Sequence, residues 1–240
     1  MSTVARIKHQ LIERQTSYVP LGETAEHIRD ISIGLIIGAT CVGKSTIIKT
    51  VTDIDKEFSN PGGFTTRQLR SSDAKTYRHL ENSAASLEGF LERVKNGEPV
   101  QYNVYDTGHI YGSEVQDYPT PFSVLDTQYS AVVNLERAGF KNVQPVALVT
   151  EPAQYERQIK TRFGGAANGE ERLIRLKEGQ KSLEYCLEQG EDISWVVNRI
   201  GEAQAAAYEV IGLVRGYRRQ STTAQIVGER LLKRVNELLA

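Results

Sequence analysis

The sequence predicts an α/β fold, a parallel sheet flanked by helices, with a smaller inserted lobe and an arginine-bearing lid. Three observations carry this. Short apolar, β-branched runs alternate with longer runs at helical spacing. The first apolar run feeds straight into a glycine loop that opens a helix. The stretch 63–118 breaks the alternation and is rich in Tyr, Gly and polar residues.

Residues 1–30 read as an N-terminal extension with a helix over about 3–15. "ISIGLIIG" (31–38) has the composition of a buried strand, and "KSTIIKTV" after the loop opens a helix. Within 63–118, "SLEGFLERVKNG" is amphipathic. "FSVLD" (122–126), "PVALVT" (145–150) and "ISWVVN" (193–198) are further strands. "TQYSAVVNLERAGF" and "GEERLIRLKEGQKSLEYCLEQ" are helical patterns between them. Residues 160–172, "KTRFGGAANGEER", hold Gly164, Gly165, Asn168 and Gly169, flanked by Arg162, Arg172 and Arg175; this reads as a basic lid. The main domain is then 31–215. Residues 216–240 form a helical C-terminal extension, with Ile226, Leu231, Leu232, Val235, Leu238 and Leu239 at near-helical spacing.

Composition excludes several classes. The chain has 240 residues, 29 Lys and Arg against 30 Asp and Glu, and a formal net charge of -1. No global field draws it to nucleic acid or to an anionic membrane. Cys41 and Cys186 form no disulfide framework, which suits a reducing, cytoplasmic setting. The apolar run 31–38 is too short to span a bilayer. The four histidines, at 9, 27, 79 and 109, show no metal-ligand spacing. Nothing in the sequence sets the oligomeric state, monomer or homodimer.

The glycine loop reads "GATCVGKST" (38–46). Between a strand and a helix, such a loop turns a row of backbone N–H groups toward one point, and the helix N-terminus adds its dipole. The spacing is G-x-x-x-x-G-K-S, the P-loop pattern. Gly38, Ala39, Thr40, Cys41, Val42, Gly43, Lys44, Ser45 and Thr46 are therefore candidates for holding ATP phosphates. Lys44 reaches the β- and γ-phosphates, and Ser45 offers a hydroxyl to Mg²⁺. Cys41 reads as a small filler. Downstream, "GGFTTRQLR" (62–70) places Arg67 and Arg70 three apart, and two guanidinium groups can clamp a second phosphate.

From these residues onward the chain resembles the guanylate kinase family, over most of 31–215. "TTRQLR" is similar to its T-T-R-x-x-R motif, "YGS" (111–113) to its Y-G-S/T motif, and "VLDTQ" (124–128) to its strand-end L-D-x-D. "RLKEGQKSL" (175–183) is similar to R-L-x-x-x-Q-x-x-L, and "VVN" (196–198) to an apolar run ending in Asn.

The resemblance implies a P-loop kinase core, an inserted lobe for a nucleoside monophosphate and a closing lid. Arg67, Arg70, Tyr77 and Tyr111 would hold the acceptor phosphate, with Ser113 beside them. Lys44, Arg67, Arg162 and Arg175 would stabilise the transferred phosphoryl group. Asp126 and Ser45 would face Mg²⁺, and Asn198 would lie near the donor base. The implied partners are small nucleotides, with ATP as donor. Such a transfer needs in-line positioning and cations rather than a covalent nucleophile.

The sequence departs from the family where the base is read. Two family carboxylates that recognise guanine are replaced by Gln101 and Gln128. A carboxylate only accepts hydrogen bonds, whereas an amide offers one acceptor and two donors. Losing a charge-assisted bond costs about 1.5–3 kcal/mol. The expectation is a nucleoside monophosphate kinase with a weakened or changed preference for GMP. The alternative is a non-catalytic guanylate-kinase-like module for a phosphorylated or acidic partner.

Overall fold

The computed structural model describes residues 2–69, 77–105, 107–164, 169–217 and 221–240. In chain order the elements are α1 (Thr3–Gln15), α2 (Gly22–Ile28), β1 (Ser32–Ile37), α3 (Lys44–Ile54), β2 (Phe58–Ser59), β3 (Gly63–Thr65) and β4 (Tyr77–His79). There follow α4 (Ala84–Lys95), β5 (Gln101–Val104), β6 (Ile110–Ser113), β7 (Phe122–Asp126), α5 (Val132–Arg137), β8 (Asn142–Val149) and α6 (Pro152–Phe163). The last are α7 (Gly169–Glu188), β9 (Ser194–Val197), α8 (Ala203–Val214) and α9 (Thr222–Leu239).

The chain divides into two compact units. One comprises Met1–Ser32, Ser59–Ser123 and Ala131–Asn142; the other comprises Ile33–Phe58, Val124–Ser130 and Val143–Ala240. The second carries a five-stranded parallel sheet in the order β2-β7-β1-β8-β9. The sequence "SIGLII" is buried along its whole length, as a parallel strand covered on both faces requires. Helix α8 packs on α3 and β9, while α9 packs on α6, α7 and β9. Its register on β9 depends on Gly228, where an added Cβ would run into the Trp195 ring. Burial of Val227, Leu231 and Val235 makes α9 part of this core.

The first unit is built on a four-stranded sheet, β4-β3-β6-β5, with β3 and β4 parallel and β6 antiparallel to both β3 and β5. One face packs against helices. Phe64, Tyr102, Val104 and Ile110 meet Ile7 and Leu11 of α1 and Leu87, Phe90, Leu91 and Val94 of α4. The N-terminal helix is tied down by polar bonds as well. Tyr102 OH donates to the Leu11 carbonyl at 2.9 Å, and Val104 N–H donates to Gln15 Oε1 at 2.7 Å. Side chains alternate across a strand, so Thr65, Gln101, Asn103, Tyr111 and Ser113 stand on the opposite face.

The structure differs from the sequence reading in the lid. Helix α6 runs to Phe163 and α7 begins at Gly169, so Arg162, Arg172 and Arg175 are helical. The glycines overstate the length of the break; Gly169 opens a helix whose first turn carries Glu170 and Glu171, which suit its dipole. Residues 165–168 of the predicted lid lie outside the described residues. The structure adds helices α2, α6 and α8 to those read from the sequence.

Candidate nucleotide site

The P-loop joins β1 to α3. Gly43 stands at φ +96° and Cys41 at φ +73°, both in the left-handed region. Gly38 is required for a different reason: a Cβ there would overlap the Leu148 carbonyl oxygen of β8. Helix α3 has no side-chain cap and no acid in its first turn. Its leading N–H groups are thus directed at whatever the loop encloses, a geometry made for an anion. Ala39 and Val42 are fully buried and anchor the loop; Gly179 of α7 packs against Ala39, where any Cβ would crowd it.

Lys44 lies within this loop. Its Nζ donates to the Gly38 carbonyl at 2.8 Å and to the Ala39 carbonyl at 3.1 Å, and lies 3.9 Å from Asp126 Oδ1. Asp126 ends β7. Loss of hydration at the strand end pushes its carboxyl up from the ordinary range, and the Lys44 charge opposes the rise. The side chain remains 47% exposed, so it faces the loop from an open position. Ser45 is exposed at the first turn of α3.

Asn198 follows β9. Its Nδ2 donates to the Val42 carbonyl at 2.9 Å, and a Cβ at Gly43 would collide with the same amide. The resemblance places Asn198 near the donor base; in the structure its amide braces the loop between β1 and α3. The flanking arginines are engaged locally. Arg175 donates to Glu178 at 2.8 Å and lies 3.9 Å from Glu171, both in α7. The Arg162 guanidinium sits 5.3 Å from the centre of the Phe163 ring. Gln128 is exposed, with its carbonyl accepting from Thr127 Oγ1 at 3.4 Å.

In the other unit, β3 leads into Arg67 through two buried threonines. Thr65 Oγ1 accepts from the Arg67 N–H at 3.1 Å, and Thr66 Oγ1 accepts from the Ile110 N–H at 2.9 Å. These bonds fix the turn that presents the guanidinium. Arg67 Nε donates to Tyr111 OH at 2.9 Å. The Tyr111 ring meets Tyr77 edge-on at 5.8 Å and Tyr105 at 5.4 Å. The structure thus brings Arg67, Tyr77 and Tyr111 together; Arg70 lies outside the described residues. Gln101 pairs with Ser113 across the strands, its Nε2 donating to Ser113 Oγ at 3.4 Å. Ser113 Oγ in turn shares a 2.8 Å bond with the buried Tyr118 OH.

Sequence reasoning misses Asn103 and Asn134. Asn103 lies two residues beyond Gln101, faces Tyr111 in register and accepts at Oδ1 from Asn134 Nδ2 at 3.2 Å. The alternation in "QYNV" is the available signal. It also misses an ion network under this unit. Arg78 donates to Asp117 at 2.5 Å and to Glu114 at 2.8 Å, and Arg93 donates to Glu114 at 2.5 Å and to Glu98 at 3.0 Å. Burial pushes the Glu114 carboxyl up, but Arg93 and Arg78 more than reverse this and hold it below the ordinary carboxylate range.

No family model matches the chain, and no curated protein matches it. Among solved structures it is similar to the guanylate kinase of Anaplasma phagocytophilum, at 16% identity and a TM-score of 0.50, over 88% of this chain and 96% of that one. It is also similar to HypB from Helicobacter pylori in complex with nickel (12%, TM-score 0.36, 92% and 99%). A third match is the PezAT chromosomal toxin-antitoxin system of Streptococcus pneumoniae (13%, TM-score 0.31, 99% and 96%). The first likeness shows a P-loop kinase fold; the other two are too distant to add to it. Among the described residues no helix is long and apolar enough to cross a membrane. None of them form a group of three His, Cys, Asp or Glu side chains placed to hold a metal.

Proposed function

We propose that this chain is an ATP-dependent nucleoside monophosphate kinase of guanylate kinase type, transferring the γ-phosphate to GMP or a related ribo- or deoxyribonucleoside monophosphate. The observation that carries this is the complete P-loop: an uncapped α3 N-terminus, the Gly38 and Gly43 positions that only glycine fits, and Lys44 beside Asp126. Further support comes from Arg67 and Tyr111, which make a second cationic, hydroxyl-lined position in the other unit.

In this reading the loop amides and Lys44 bind the donor phosphates. Lys44 exchanges the Gly38 and Ala39 carbonyls for phosphate oxygens, so the bonds it makes now keep an ammonium in place. Ser45 and Asp126 are hard oxygen donors that fit Mg²⁺, which commonly takes one or two protein ligands and completes its shell with phosphate and water. When bound, that ion neutralises charge on the β- and γ-phosphates. Arg67 orients the acceptor phosphate, and its planar donors match two oxygens at once. Arg162 and Arg175 supply further positive charge. The acceptor phosphate is already ionised, so no general base is needed.

The test is a coupled ADP-release assay with Mg-ATP against ribo- and deoxyribonucleoside monophosphates, beside Lys44→Ala. Turnover that falls by about 10³-fold in the variant is expected, the scale of removing a cation that stabilises transferring charge. ATP binding without turnover on any acceptor would overturn the kinase assignment in favour of a binding module.

A further inference from the structure

Two buried polar groups near the P-loop are not used by the proposed reaction. Both belong to the unit that carries the loop. Tyr155 of α6 is fully buried, and its hydroxyl has no hydrogen-bond partner among the described residues. Arg172 of α7 has a buried Nε–H that is likewise unpaired among them. Helix α7 passes close to the loop at Gly179. A Cβ there would stand 2.9 Å from Ala39 Cβ and 3.6 Å from the Tyr155 hydroxyl oxygen, so α7 offers that hydroxyl no side chain at this point. Burial without a partner is costly to a donor. Two such donors on adjacent helices suit one acceptor oxygen.

The same hydroxyl is within electrostatic reach of Cys41. Burial pushes the Tyr155 hydroxyl far above its ordinary range, Cys41 adds to the rise, and the Arg172 cation opposes it. Cys41 is also set apart by its backbone. The Val42 N–H donates to the Ala39 carbonyl at 3.5 Å and closes a turn, with Cys41 in third position at φ +73°. Such a turn ordinarily gives that position to glycine. Among the described residues Cys41 is the one non-glycine with a positive φ. Its side chain is half-buried, in the loop before the uncapped N-terminus of α3. A partly open, electropositive setting is where a thiol reacts. Cys186 is the internal contrast: it is 1% exposed, and burial pushes its thiol up to about 12.

We propose that Cys41 is a site of reversible oxidation, where a hydroperoxide converts the thiol to a sulfenic acid held by Tyr155 and Arg172, and that this weakens ATP binding by the loop. The Cys41 sulfur attacks one peroxide oxygen. An S–O bond forms as the O–O bond breaks, and the thiol proton leaves with the departing oxygen, as water when the oxidant is hydrogen peroxide. Sulfur gives up two electrons and the peroxide accepts them. The Tyr155 O–H and the Arg172 Nε–H then donate to the new oxygen. That oxygen adds bulk, and negative charge when the acid ionises, to the loop that would hold the ATP phosphates. A thiol reductant restores the side chain. The modification stands without the kinase reading; its effect on ATP rests on that reading.

The test treats the full chain with hydrogen peroxide in the presence of dimedone, which traps sulfenic acid, and locates the adduct by mass spectrometry. Calorimetry gives the ATP affinity before peroxide, after it, and after dithiothreitol, with dimedone left out. The adduct is expected on Cys41 and not on Cys186. ATP affinity is expected to fall at least about tenfold on oxidation and to recover on reduction, and in Cys41→Ser peroxide is expected to leave it unchanged. Tyr155→Phe removes only an unpaired hydroxyl, so before oxidation its Tm and ATP affinity should be no lower than in wild type. Its adduct should form about tenfold more slowly, the scale of a hydrogen bond to a charged group. Arg172→Gln should slow it in the same direction and serves if Tyr155→Phe does not fold. No adduct on Cys41, labelling in both variants as fast as in wild type, or an ATP affinity indifferent to peroxide overturns the proposal. If the untreated chain binds no ATP, the kinase reading falls together with the ATP effect, while the adduct rates still decide the modification site.

Discussion

On the proposed reading, the groups that would meet a phosphate in the P-loop are mostly main-chain; on the sheet of the other unit they would be side chains. The loop needs Gly43 at a positive φ, Gly38 against the Leu148 carbonyl, and Asn198 gripping Val42, and only Lys44 adds a side-chain charge. The sheet face needs Arg67 aimed by Thr65, Tyr111 held among rings, and two amides each fixed by a neighbour. A backbone cradle binds phosphate, which every nucleotide has. A side-chain face can be edited one residue at a time, so this is where one member of a fold comes to differ from another.

The largest expected effect breaks the backbone side. Gly43→Ala forces a Cβ into the left-handed region and onto the Asn198 amide that holds Val42. The strain is about 1–2 kcal/mol, and the displaced hydrogen bond adds about 1 kcal/mol. ATP affinity is expected to fall about 100-fold by calorimetry, while far-UV circular dichroism and monophosphate binding stay unchanged. Equal loss of both ligands would show that the two regions are not separable in this way.

The contrast also explains what the sequence makes legible. The P-loop depends on contiguous residues whose spacing is itself the geometry, and the strand before it and helix after it follow from one apolar run and one periodic run. The sheet face is assembled from residues 65, 101, 103, 111 and 113, brought together by strand register rather than by spacing, with Asn134 of α5 bonded to it. Gln101 stands out because a family motif has a carboxylate there; Asn103 has no motif to mark it. Analogy places Asn198 beside a base, and only coordinates show its amide committed to the loop. Residues 160–163 and 169–172 of the stretch read as a lid are helical, because glycines signal freedom and not helix ends, and α7 starts at one of them.

Arg67→Lys tests the side-chain region at its cation. Lysine keeps the charge but loses the planar pair of donors and the Nε bond to Tyr111. The loss of charge-assisted bonding, about 1.5–3 kcal/mol, predicts an apparent KM for the acceptor at least about tenfold higher, with the KM for ATP unchanged. A change in the ATP parameter instead would place Arg67 on the donor and remove the assigned division of labour.

The smallest expected effect concerns how the side-chain region is supported. Glu114 joins Arg78 of β4 to Arg93 of α4, and both cations hold its carboxyl below the ordinary range against the upward push of burial. A depressed folded-state pKa means that the unfolded chain binds the proton more readily. The stabilisation is therefore complete above the unfolded glutamate range, about pH 4.3, and is lost as pH falls through the folded value. Glu114→Gln removes this contribution. Arg78 keeps Asp117 and Arg93 keeps Glu98, and the arginines are partly exposed, so the cost at neutral pH is only about 1 kcal/mol. Thermal unfolding should show the variant a few degrees lower at pH 7 and converging with wild type below about pH 4. The P-loop unit has no share in this network, so ATP affinity should be identical in the two proteins. A gap that widened toward acid would mean that Glu114 is held protonated, and the arginines would then not be what secures the face.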